Sequence, residues 1–312
     1  DYNFHNDSKY RIISILYRAF FGPIILGLLL NKSNKYIYIW KTGFLYDREF
    51  EFKFLKSKNK KIVCIFVGSD IRSLVLRKKL YEDLGIDGSA NYLDFPDNEN
   101  EVKKVARIAD KYADIIFNAS CDQVSYLQSK QYYPFHYYDQ KLFFRNDEKY
   151  TNDLFNKIKI LHSPSNPIIK GTQLVRAAIK KLELKGYVFD YVELERVDNR
   201  VVLEHLKSSH IVLAEFYAFG LGVLTVEAMA NNCAVLASSD PLIETGLPQN
   251  EDDAWFKTQA WEIYDNIKFL LDNPQKIKYF ANRGYDYAQR HFSFENVNNR
   301  ISTILKENGI ER

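Results

Sequence analysis

Cysteine is scarce in this chain of 312 residues: Cys64, Cys121 and Cys233 stand far apart, with no CxxC pair. That spacing argues against a zinc site or a disulfide framework. Each lies in an apolar run, where a buried free thiol is the simplest reading, and a reducing, cytoplasmic compartment follows. Charge of one sign is lacking too. Lys plus Arg number 43 against 40 for Asp plus Glu, a surplus of +3 that is too small to argue for nucleic acid. There is no Asp-x-Asp metal signature, no internal repeat, no low-complexity tract, and neither an initiator Met nor a secretory signal pattern ahead of Asp1. Either the natural start is expected to lie upstream, or the first domain has lost part of its fold. The one long apolar run, Ile12 to Leu30, contains Arg18 and the helix-breaking pair Gly22-Pro23. It is therefore read as a buried core helix, ahead of a membrane-surface contact and of a span.

What the chain does have is core-forming material, 46% hydrophobic against 27% charged residues, which excludes disorder and suits about two domains. Strand-like runs at Tyr36–Trp40, Lys61–Val67 and Asp114–Asn118 alternate with helical stretches at Ile71–Leu84 and Glu101–Tyr112. The last of these carries Val102, Val105, Ala106 and Ile108 on one helical face. After a polar linker candidate, Arg145 to Asn156, strands are predicted at Lys159–His162, Tyr187–Leu194, His210–Leu213 and Ala234–Ala237. Helices at Lys170–Leu184, Asn199–Lys207 and Leu224–Ala230 separate them, and the remainder is mostly helical. Strand–helix alternation of this kind builds parallel sheets with helices on their faces.

In such sheets ligands bind where strands end and helices begin. Two segments have that form. In His162–Thr172 (HSPSNPIIKGT) an oxygen-rich loop with Ser165 and Asn166 leads to Lys170, Gly171 and Thr172 at a helix start. Backbone amides and a lysine there suit a phosphate; a Thr172 helix cap beside a solvated lysine is the alternative. In Glu215–Ala237, Gly220 and Gly222 bracket a helix start, and Glu227 follows inside VEAMA. A carboxylate in so apolar a setting needs partners. Sugar hydroxyls are one kind, and an internal salt bridge is the other.

Together, KGT opening one helix and G-x-G-V-x-x-x-E-A-M-A followed by AVLAS resemble glycosyltransferase family four, the group-one retaining enzymes of the GT-B fold. The similarity is closer to bacterial surface-polysaccharide members, with His162, Pro164, Ser165, Asn166, Lys170, Gly171 and Thr172 matching their phosphate loop. VGSDIR at Val67–Arg72 resembles their first-domain loop, and the helix after HFSFENV their returning terminal helix. The resemblance runs from Tyr36 onward and is strongest over Ile160–Ser238.

The resemblance implies two facing Rossmann-like domains, each with a parallel sheet. Residues 1–147 would form the acceptor-side domain, lacking its first strand–helix unit and joined by the terminal helix 293–312. Residues 157–292 would bind the nucleotide-sugar donor, such as a UDP- or GDP-sugar. It implies that Lys170 holds the donor diphosphate and Glu227 the ribose hydroxyls. The amides around Gly220, Leu221, Gly222 and Val223 would face the diphosphate or sugar, and Gly68, Ser69 and Asp70 would reach the cleft from the other domain. The family's first glutamate falls on Phe219, which leaves Glu215 as the nearest substitute. Pro167 and Val67 replace an arginine and a histidine of the pattern. The implied activity is transfer of a sugar to a glycan or lipid-linked acceptor without metal or other cofactor, at the inner membrane face. A non-catalytic relative binding a glycan or protein partner is the alternative.

Overall fold

A computed structural model describes residues 11–39, 43–68, 70–85, 98–118, 124–129, 131–132, 137–151, 157–168, 170–243, 251 and 253–310. Trp40, Ser69, Cys121 and the linker residues 152–156 lie outside these.

Two parallel sheets organise the chain. The first has the order β1 (Lys35–Ile39), β2 (Lys61–Phe66), β3 (Ile115–Asn118), β4 (Gln131–Tyr132). Its helices are α1 (Arg11–Leu30), α2 (Arg48–Ser57), α3 (Leu74–Asp83) and α4 (Glu99–Tyr112). Side chains alternate across this sheet as the pleat requires. Tyr36, Tyr38, Ile62, Cys64 and Phe66 face a core that also holds Phe52 and Leu55 of α2 and Val105 and Ile108 of α4. On the opposite face, Val63, Ile115 and Phe117 pack against the last helix.

The second sheet has the order β6 (Asp190–Glu193), β5 (Lys159–His162), β7 (Ile211–Leu213), β8 (Ala234–Ala237), β9 (Phe256–Lys257). Around it lie α5 (Thr172–Leu184), α6 (Asn199–Ser208), α7 (Val223–Ala230), α8 (Ile263–Asp272) and α9 (Pro274–Phe292). β5, β7 and β8 are buried on both faces, as strands between helical layers must be. From α9 the chain turns at Ser293, whose hydroxyl caps α10 (Phe294–Glu307), and α10 returns to the first sheet through Ile301, Ile304 and Leu305. Part of the polar stretch read as a linker is anchored instead. The Lys149 ammonium donates to the carbonyls of Ser209 (2.8 Å) and Asn231 (2.9 Å), and the Tyr150 hydroxyl to that of Asn232.

α1 corrects the reading of a buried core helix. It runs unbroken through Gly22 and Pro23, and Gly22 allows a close approach of the Phe44 carbonyl oxygen, with which an added Cβ would clash. Leu26 enters the core, while Phe20, Ile24 and Leu28 are 70%, 59% and 64% exposed. Among the described residues no helix is long and apolar enough to cross a membrane.

Two histidines lock the second sheet. The His162 Nδ1–H donates to the Leu213 carbonyl (2.8 Å), so the neutral ring accepts from the Thr172 hydroxyl at Nε2 (2.9 Å). His210 accepts the Lys159 amide at Nδ1 (2.9 Å) and donates from Nε2 to the Lys149 carbonyl (2.8 Å). Burial holds both rings below the ordinary histidine pKa, and a second proton would destroy each acceptor. The unfolded chain binds these protons more readily. Stability should therefore fall as pH drops through the ordinary histidine value of about 6.5 toward the depressed ones. Thermal melts should show a lower midpoint at pH 5.5 than at pH 7.5, and a flat profile would contradict this assignment.

Candidate functional site

At the carboxyl ends of β5 and β6 the second sheet opens into a pocket of about 340 Å³. The loop after β5 supplies Ser163, Pro164, Ser165 and Lys170; the loop after β6 and the start of α6 supply Leu194, Arg196, Val197 and Asn199; α7 supplies Val223, Leu224 and Glu227.

The Lys-Gly-Thr triplet has three separate physical jobs. Lys170 puts its ammonium at the pocket. Gly171 takes the left-handed conformation, φ +71°, that opens α5, which costs a residue with a Cβ. A Cβ there would also approach the Phe216 side chain at 3.3 Å. Thr172 is buried and donates to His162, so it is not the helix cap that the alternative reading supposed. Gly171 and Thr172 thus hold the loop from behind and do not line the pocket.

Glu227 is 5% exposed and sits on the pocket wall. Its described partner is the Asn199 side-chain amide, which donates to Oε1 at 3.2 Å; among the described residues no lysine or arginine pairs with it. Burial pushes the carboxyl above its usual range, and the Asn199 bond pulls it partly back. A buried carboxylate with acceptor capacity to spare is costly unless a ligand's donors reach it.

Glu215, the nearest substitute for the pattern's first glutamate, is placed differently from Glu227. Its carboxylate is 1% exposed. Oε1 accepts the Gly222 amide and the Thr225 hydroxyl, both at 2.7 Å, and Oε2 pairs with Lys170 at 2.9 Å. It ties Lys170 to the start of α7. This also explains Gly222, whose added Cβ would lie 2.7 Å from Glu215 Oε2 and 3.0 Å from the Lys170 ammonium. Gly222→Ala should cost about 1–3 kcal/mol through overpacking, read as a shift in denaturant midpoint; no shift would show that the junction has slack.

Phe219 and Asp70 also make contacts within the fold. Phe219 is buried edge-on against Tyr81 of α3, ring centroids 5.2 Å apart, and the Arg77 guanidinium donates to the Tyr217 carbonyl at 3.3 Å beside it. The position that carries a carboxylate in the resembling pattern is here a contact between the two halves of the chain. The Asp70 carboxylate is spent on its own loop, accepting the amides of Gly68 (2.7 Å) and Val67 (3.2 Å). Gly68 lies in that loop, off the pocket wall, and Ser69 lies outside the described residues. Gly220 and Leu221 are buried behind the pocket, the Gly220 carbonyl accepting the Ser239 hydroxyl. The Asn166 side chain accepts the Ile168 amide within the phosphate-type loop, and Ser165 alone of that pair lines the pocket. The structure therefore brings together Ser165, Lys170, Val223 and Glu227 from the sequence reading and adds the wall from Leu194 to Asn199, which that reading missed. Its signal was available: this loop also follows a strand's carboxyl end and precedes a helix capped by Asp198.

Solved structures share this architecture. Sucrose-phosphate synthase from Thermosynechococcus elongatus matches 97% of the chain and 80% of its own at 12% identity, TM-score 0.59. The fold is GT-B. The S. aureus MnaA–UDP structure matches with 99% and 84% coverage, 14% identity and TM-score 0.52. An α-glucosyltransferase in complex with UDP-glucose and DNA containing an abasic site matches with 92% and 84% coverage, 14% identity and TM-score 0.51. No family model and no curated protein matches the sequence. Among the described residues no group of three or more His, Cys, Asp or Glu side chains comes together as a metal site.

Proposed function

We propose that this GT-B chain is a retaining glycosyltransferase of family four type. It would move a sugar from a nucleoside diphosphate donor to a glycan or lipid-linked acceptor in bacterial surface-polysaccharide synthesis. The observation that carries the reading is Glu227: a buried carboxylate on the wall of the pocket that also presents Lys170, bonded to an amide and to no cation among the described residues. A ribose offers two neighbouring hydroxyl donors to such a group. The Lys170 ammonium, its charge partly balanced by Glu215, and the first-turn amides of α7, which have no helical acceptor of their own, would offer donors to a diphosphate. They would stabilise charge developing on the leaving group without a metal. Front-face displacement lets the departing phosphate take the acceptor's proton, so no further base is required. Known structures of this fold that carry UDP or UDP-glucose favour the same ligand class. The exposed Phe20, Ile24 and Leu28 of α1 favour peripheral contact with the inner membrane face.

A second reading, a non-catalytic relative, is favoured by one observation: Phe219 and Glu215 are both committed internally, so the expected sugar-binding carboxylate is not supplied. A panel of UDP- and GDP-sugars separates the two. Release of nucleoside diphosphate that depends on Lys170 supports transfer, while tight nucleotide binding without turnover supports the binding role.

A further inference from the structure

A second cavity, about 450 Å³, lies on the face of the first sheet away from α2 and α4. Its floor is one side of the pleat, with Ile37 and Ile39 of β1, Val63 and Ile65 of β2, and Phe117 of β3. Ile301 and Leu305 of α10 form one wall, and Tyr137, Tyr138 and Val223 the end. No charged residue lines it among those described. Its polar side-chain atoms are the two tyrosine hydroxyls, and that of Tyr138 is turned to the Val223 carbonyl at 3.4 Å. Ile37 and Ile39 are 61% and 56% exposed within it. Two isoleucines facing water beside the buried Val63 and Phe117 of the same sheet ask for an apolar occupant.

Val223 tells what that occupant is. It is the first residue of α7, half exposed, and it lines both this groove and the pocket of Lys170 and Glu227. A molecule lying in the groove therefore ends beside the helix start where the donor's diphosphate and sugar would sit. A second substrate delivered there must be apolar along the groove and carry its hydroxyl at the Val223 end. We infer that the acceptor is an amphiphile whose linear hydrocarbon tail lies across Ile37, Ile39 and Val63, against Ile301 and Leu305. The inference rests on the donor-pocket reading above and chooses between the two acceptor classes which that reading leaves open.

The probes are n-alkyl β-glucosides from hexyl to decyl, kept below their micellar concentrations and titrated calorimetrically into the full chain with UDP and GDP each tested at saturation. Affinity should rise about fourfold per methylene while the tail still finds room in the groove. Ile37→Glu/Ile39→Glu should lose at least about tenfold for the decyl glucoside, more than two methylenes' worth at four-fifths of full burial, and keep the wild-type nucleoside diphosphate affinity. Both positions are exposed, so folding should survive; the milder Ile39→Thr, checked by thermal melt, covers the case in which it does not. Chain-length independence, or a dependence that persists in both variants, would overturn the inference. A dimer that these changes dissociate would overturn it too, since a second copy would then cover the groove. Nucleotide binding with no alkyl binding would sink the groove alone, whereas alkyl binding with no nucleotide binding would sink the transferase reading instead.

Discussion

Lys170→Ala should do two things at once, and separating them is the test. Removing the ammonium takes away a charge-assisted contact to the donor's diphosphate, about 1.5–3 kcal/mol, or roughly 10- to 150-fold in affinity. It also strands Glu215, which is 1% exposed and, among the described residues, keeps the Gly222 amide and the Thr225 hydroxyl. Breaking a buried pair from one side costs about 3 kcal/mol or more of stability. The double variant Lys170→Ala/Glu215→Gln removes the stranded charge while leaving an acceptor for Gly222. It should recover most of the stability and none of the diphosphate affinity, with nucleoside affinity unchanged. Denaturant unfolding and calorimetry on the three proteins decide it. If the double variant regains diphosphate binding, the lysine is a structural ion and not a phosphate ligand.

Glu227→Gln should show the opposite pattern. Its described partner is Asn199, so no cation is stranded. Because burial raises the carboxyl's pKa, the folded state holds this proton more tightly than the unfolded chain does. Ionising the group at neutral pH therefore costs stability, a cost relieved as pH falls through the raised value. Glutamine removes that cost, and the midpoint of unfolding should stay level or rise. Nucleotide affinity should fall by about 1–3 kcal/mol, since a carboxylate accepts two hydroxyls better than an amide does. In the wild type, affinity should weaken as pH drops through the raised pKa, and in the variant this slope should vanish. Lost stability with unchanged affinity would mean that Glu227 is a structural charge.

The parallel sheets were legible because burial writes itself into period. Val102, Val105, Ala106 and Ile108 mark the inner face of α4, and KILH and AVLA mark strands buried on both sides. The Lys-Gly-Thr triplet was legible because a left-handed glycine and a helix start leave a local trace. α1 misled because its apolar run reads as core, whereas Leu26 enters the core and Phe20, Ile24 and Leu28 face outward. What escaped were pairs that only the fold brings together: Phe219 against Tyr81, Lys170 on Glu215, and Asn199 on Glu227. In sequence Glu215 and Glu227 are two carboxylates near one helix. In the fold one is sealed behind Gly222 and the other lines a pocket.

Calorimetric titration of the wild-type chain with UDP, GDP, uridine and guanosine tests the central claim most directly. If Lys170 and the start of α7 hold a diphosphate while Glu227 holds the ribose, one nucleoside diphosphate should bind at least about tenfold more tightly than its own nucleoside, the lower bound for one charge-assisted contact. No binding by either diphosphate, or equal affinity for nucleoside and diphosphate, would contradict it.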